Sequence, residues 1–131
     1  MIKKTVAAAL SAGVLATGGA LIAAAPAQAS ACPSGRLCAY VVEQPSSANA
    51  YDSRTWTGAP GTVSGSNRNL LEYRKFDNAR SLYNNKSGYT AVVYSSPGFG
   101  GTPYRLNPGS GWKSIDGSAL WQNVASNQWI R

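Results

Sequence analysis

Two stretches of the chain concentrate β-branched and aromatic residues between Gly, Pro and Ser. They are residues 36–44, RLCAYVVEQ, and residues 88–95, GYTAVVYS. Side chains of this kind pack well on a half-buried pleated surface, so both runs predict β-strands. Residues 102–109, TPYRLNPG, and 127–131, NQWIR, predict two more. Gly, Ser, Asn and Pro fill the intervals and supply turn geometry. Past Ser30 no window repeats its apolar residues at helical spacing. The expectation is an all-β fold of short strands and tight turns, a sandwich or a barrel. Residues 46–69 are the least strand-like and predict a long loop with one short strand near 54–57.

The N-terminus follows a different pattern. Lys3 and Lys4 precede an Ala/Val/Leu-rich run, and Ala27-Gln28-Ala29 supplies a small-x-small cleavage signature. This predicts a secretory signal over residues 1–29, and a single domain over 30–131 that comprises 102 of the 131 residues. Nothing after Ser30 is apolar for long enough to span a bilayer, so no membrane insertion is expected once the signal is removed. Export places Cys32 and Cys38, in CPSGRLC, in an oxidising compartment, where a disulfide between them is the default. Pro33-Ser34-Gly35 favours the turn that brings them together. A redox site normally uses a closer pair, and zinc needs more ligands than two Cys in a chain with no His.

Charge changes the picture little. Loss of Lys3 and Lys4 lowers the formal net charge from +7 to +5, which favours anionic surfaces. The remaining basic residues are spread along the chain without a dense cluster, which suits a solvated surface and a monomer rather than a nucleic-acid partner.

A faint internal repeat is present. CAYVV aligns with TAVVY at an offset of about 51, and DNARS at 77–81 aligns with QNVAS at 122–126 at an offset of 45. Two similar units of about 45 residues predict two four-stranded Greek keys sharing a core. In the second unit Tyr94, Phe99 and Gly101 resemble the β/γ-crystallin signature. There a folded-back hairpin packs two aromatics together, and the Gly takes a backbone geometry that a Cβ would obstruct. Tyr51, Trp56 and Gly58 share the spacing, but the residues before Tyr51 are not strand-like. Tyr40 aligns better with Tyr94, with a longer insert after it.

With CPSGRLCAY near the mature N-terminus, ARSLYN at 79–84 and this crystallin-like second half, the chain resembles the secreted metallopeptidase inhibitors of actinobacteria. The resemblance implies a β/γ-crystallin-like sandwich of two Greek-key motifs and a secreted, non-enzymatic inhibitor of metallo- or serine peptidases. Its partner would be an extracellular peptidase, entered by a substrate-like loop. The segment matching that loop is Phe99, Gly100, Gly101, Thr102, Pro103 and Tyr104. The second disulfide that stiffens it in the family is absent here; Pro103 would supply some stiffness instead. Tyr104 or Arg105 would fill a specificity pocket. Ordinary strand alternation would instead turn Tyr104 and Leu106 to the core and Arg105 to solvent.

Three other chemistries bear on these residues. Many β/γ-crystallin domains bind Ca²⁺ through Asn/Asp-Asn/Asp-x-x-Ser/Thr-Ser. Asp77, Asn78 and Ser81 fit most of that pattern, and Asn123 and Ser126 fit part of a second copy. Only Asp77 brings a carboxylate and Arg80 opposes a cation, so any binding would be weak and no cofactor is expected. The absence of His removes the commonest general base and the Ser-His-Asp and Cys-His arrangements, which argues against an enzyme. Trp56, Trp112, Trp121 and Trp129 either fill the core or form a sugar-stacking face. The second choice would make the protein a cell-wall or glycan-binding module, or an antimicrobial toxin-like one.

Overall fold

The computed structural model describes residues 31–131; the expected signal sequence lies outside the described residues. Seven strands follow in order: β1 (Leu37–Tyr40), β2 (Gly61–Val63), β3 (Ser81–Asn84), β4 (Thr90–Ser96), β5 (Gly100–Leu106), β6 (Ser110–Trp112) and β7 (Ser126–Ile130). They form two antiparallel sheets, one ordered β2-β1-β3-β6 and the other β5-β4-β7.

Each half is a Greek key. β3 returns beside β1, and β7 returns beside β4. The third strand of each half crosses to the other sheet: β6, from the second half, pairs with β3 of the first. Its counterpart is reduced to a single bridge, Asn67 to Asn127, reinforced by reciprocal backbone hydrogen bonds of 2.9 Å. The halves are therefore interleaved, and neither can close its sheet alone.

The main core lies between the sheets. Alternation sends Leu37, Ala39 and Leu82 inward from the first sheet and Ala91, Val93 and Leu106 inward from the second, where they meet Leu70, Phe76, Leu120 and Val124. A second apolar cluster lies on the opposite face of the first sheet. There Cys38, Tyr40 and Tyr83 are covered by Trp56 and Ala48 from the long inter-strand segment and by Cys32.

Two local expectations differ from the structure. The 46–69 segment carries a 3₁₀ turn (Ser53–Thr55) where a strand was expected, and its strand is β2, further on. The Asp52 carboxylate accepts from the Arg54 amide and so caps this turn, a local bond that competes with extended pairing. A single-turn helix, α1 (Arg74–Asp77), exists only because Phe76 is anchored in the core.

Candidate functional site

The hairpin between β4 and β5 carries the Tyr94–Phe99–Gly101 motif. The rings of Tyr94 and Phe99 stack obliquely, 5.6 Å apart at 42°. Phe99 has φ +61 and Gly101 φ +74, in the left-handed region. A Cβ at Gly101 would collide with Ser95 Oγ, so glycine is required there for space as well as backbone. The corner is tied down by three hydrogen bonds to two residues, Ser126 and Arg68. Ser126 Oγ donates to the Ser96 carbonyl at 2.7 Å and accepts from the Phe99 amide at 3.1 Å; the Gly98 amide donates to the Arg68 carbonyl at 2.7 Å. The Arg68 guanidinium lies 4.8 Å from the Phe99 ring centroid.

Of the proposed loop residues, Phe99 and Gly101 belong to this corner. Gly100, Gly101, Thr102, Pro103 and Tyr104 run into β5, an edge strand bonded to β4 on one side and open on the other. Thr102, Pro103 and Arg105 are exposed and Leu106 is buried. Tyr104 turns inward onto Trp112, edge to face at 6.4 Å, and its hydroxyl accepts from the Ala119 amide at 3.3 Å. Arg105 thus projects to solvent while Tyr104 is half-buried packing. Val92, Tyr94, Pro103, Arg105 and Gln128 line an open trough of about 580 Å³ on the outer face of this sheet.

The first half repeats the corner with different parts. Tyr40 faces Ser81 across the β1–β3 ladder as Tyr94 faces Ser126 across β4–β7. Ser81 Oγ donates to the Val42 carbonyl at 2.8 Å, as Ser126 does to Ser96. Tyr40 packs on Trp56 at 5.2 Å, and Gly58 has φ +88. The first motif is therefore Tyr40–Trp56–Gly58, which unites the two partial matches in the sequence.

The extra residues between Tyr40 and Trp56 form a closely bonded loop. Gln44 is buried at its base; its Nε2 donates to Ser81 Oγ and the Thr57 carbonyl, each at 3.1 Å, and its Oε1 accepts from the Thr57 amide at 2.7 Å. Lys113 Nζ donates to the carbonyls of Ser46 and Ala48 at 3.0 and 2.9 Å. The Trp56 indole donates to the Asn49 carbonyl at 2.8 Å, and the Gly111 amide on β6 donates to the Ala50 carbonyl at 2.7 Å. At the tip, Arg54 pairs with Asp52 through two bonds of 2.9 Å, which hold the Asp52 carboxyl below the usual carboxylate range. Burial pushes the Tyr40 hydroxyl well above the ordinary tyrosine range, with the Tyr83 hydroxyl nearby adding to the shift.

Cys32 and Cys38 form the expected disulfide, with Cα atoms 5.8 Å apart. It underlies the same loop, because the Cys32 amide donates to Ser53 Oγ at 2.9 Å.

The two calcium-type segments run side by side, joined by the amides of Gln122 and Val124 donating to the carbonyls of Ala79 and Phe76. The Ser81 and Ser126 hydroxyls are buried and already bonded within the protein. Asn78 Nδ2 donates to the Arg74 carbonyl, Asn123 Nδ2 donates to the carbonyls of Ser95 and Ala119, and Arg80 lies over the Trp121 ring. Asp77 is the single carboxylate, and among the described residues no group of three or more His, Cys, Asp or Glu could hold a metal ion. Such a donor set fits a hard cation poorly.

Trp56 is buried, and Trp112, Trp121 and Trp129 are half-buried against the main core, so the four indoles form no exposed face.

This architecture occurs in known structures. A structure titled "Evolution of the eye lens beta-gamma-crystallin domain fold" aligns with a TM-score of 0.57 at 16% identity, over 75% of this chain and 88% of that one. A beta gamma crystallin from Ciona intestinalis aligns at 0.54 and 17%, over 73% and 100%. The N-terminal domain of protein S aligns at 0.50 and 16%, over 72% and 94%. The fold is that of the β/γ-crystallins. The family model of peptidase inhibitor family I36 matches residues 45–106. That match supports a peptidase-inhibitor role and points to a non-enzyme. No curated protein matches the sequence. The I36 match begins at the bonded loop after Gln44 and ends with β5. The sequence predicts a long loop here and shows the Trp56 and Gly58 spacing, but not the loop's bonded frame or its projecting tip.

Proposed function

We propose that the protein is secreted as a monomer and blocks extracellular peptidases, of the metallo- or serine class, by offering a rigid extended segment to the cleft. The observation that carries this reading is β5. It is an exposed sheet edge whose unpaired backbone groups can bond an extended partner, and it is held from behind by β4 and the Ser126-tethered corner. A peptidase binds its substrate extended, so a strand already fixed in that form avoids most of the ordering cost of binding. Proline at position 103 and packed Tyr104 resist the distortion that hydrolysis requires. Arg105 is the side chain free to enter a pocket. The I36 match covers this strand, and the lack of an exposed indole face weighs against a sugar-stacking surface.

The test is titration of a thermolysin-type zinc peptidase and a subtilisin-type serine peptidase with residues 30–131. Stoichiometric loss of activity at sub-micromolar concentration is expected. Full activity of both enzymes with the protein left intact overturns the reading. Rapid cleavage within Gly100–Leu106 would make β5 an ordinary substrate and overturn it equally.

A further inference from the structure

Among the described residues Tyr51 is the most exposed large hydrophobic residue, at 74%. It does not sit on a loose segment. The Tyr51 amide donates to Asn49 Oδ1 at 2.8 Å, Asn49 and Asp52 form a bridge, and the Thr55 hydroxyl donates to the Asp52 carbonyl at 2.8 Å while accepting from the Asn49 amide at 2.7 Å. Arg54 braces the other side through Asp52. Beneath the tip, buried Trp56 fills the space between Tyr40 and Tyr83, at 5.2 and 5.3 Å. The loop is thus held by its own hydrogen bonds, yet it presents the Tyr51 ring to water.

Burying Tyr51 would satisfy the hydrophobic effect. The bonded frame holds it out instead. A projecting aromatic on a preorganised turn is the shape of an interface anchor: it brings large contact area at little entropic cost and needs a pocket, not a flat surface. Its position links it to β5. Tyr51, Arg105, Pro108 and Trp112 line one groove of about 450 Å³, so the tip and the end of the open edge strand share one side of the molecule.

We propose that Tyr51 is a second inhibitory anchor, inserted into an apolar side-chain pocket of the peptidase whose cleft receives β5. This rests on the inhibitor reading above. The pocket must be apolar and deep enough for a phenol ring. That selects peptidases with a subsite for large hydrophobic side chains in addition to the one that takes Arg105.

The test uses residues 30–131 and three variants, Tyr51→Ala, Tyr51→Phe and Arg105→Ala, titrated against the same two peptidases, both of which accept large apolar side chains. Melting temperatures serve as the control for folding. Tyr51→Ala is expected to weaken inhibition at least tenfold with an unchanged melting temperature, and Tyr51→Phe to weaken it less than threefold. If the wild type inhibits and Tyr51→Ala inhibits as well, the anchor assignment is wrong while the inhibitor reading stands, with Arg105→Ala reporting on β5. If the wild type inhibits neither enzyme, the inhibitor reading fails and takes the anchor with it.

Discussion

Gly111 shows how one position couples the loop to the fold. A Cβ there would lie 2.6 Å from both the Trp56 and Tyr83 rings, and its amide holds the Ala50 carbonyl. Gly111→Ala is expected to cost about 1–3 kcal/mol by overpacking. Gly65→Ala, at an open position without a left-handed φ, should stay within about 0.5 kcal/mol. Urea unfolding of the two variants checks both. Ser126 is the second such residue. Ser126→Ala leaves the Phe99 amide and the Ser96 carbonyl without their partner, at a cost of about 1–3 kcal/mol. The same experiment reads it, and equal stability to wild type would show that the corner does not depend on this hydroxyl.

At the scale of elements, the turn at Ser53–Thr55 is capped by a carboxylate whose pKa is lowered by Arg54. A lowered pKa means that ionised Asp52 favours the folded turn. The contribution is complete above the aspartate's unfolded pKa and disappears as pH falls through the lower folded value. Protection of the Arg54 and Thr55 amides, relative to their intrinsic exchange rates, should therefore fall below the usual carboxylate range, and Asp52→Asn should abolish that pH dependence. The disulfide acts on the same element. Its short ring restricts the unfolded chain by about 2 kcal/mol. Reduction should lower stability by that order and also free Ser53 from the Cys32 amide. Denaturation with and without reductant measures it.

For the whole molecule, the interleaved third strands make the halves dependent on each other, so unfolding should be a single cooperative transition. Calcium is tested at this scale, because a ligand that binds only the folded state raises the melting temperature by mass action. With one carboxylate in the paired segments and both serine hydroxyls already engaged, millimolar Ca²⁺ is expected to shift it by less than about 1 °C. A rise of several degrees would assign a site to those segments. The two halves also differ in their outer faces. The first is roofed by the bonded loop and the disulfide, the second is open, and this asymmetry places the projecting tip beside the free edge of β5.

Much of this was legible in the residues. Alternating β-branched and aromatic runs led to β1, β4, β5 and β7, since period-two patterns follow from strand geometry alone. The Tyr94–Phe99–Gly101 corner and the Cys32–Cys38 pair are local, and local spacing carried them. β2, β3 and β6 are three or four residues long and hold Gly, Ser and Asn, so they carry too little pattern; pairing with neighbours distant in sequence makes them strands. The alignment of the repeats was likewise decided by ladder register, where Tyr40 and Tyr94 each face a buried serine, while the insert hid that equivalence from linear spacing. Exposure of Tyr51 could not be read from its neighbours. It follows from Trp56 being drawn under the loop by Tyr40, Tyr83 and Gly111, contacts that exist only once β1, β3 and β6 have paired in the first sheet.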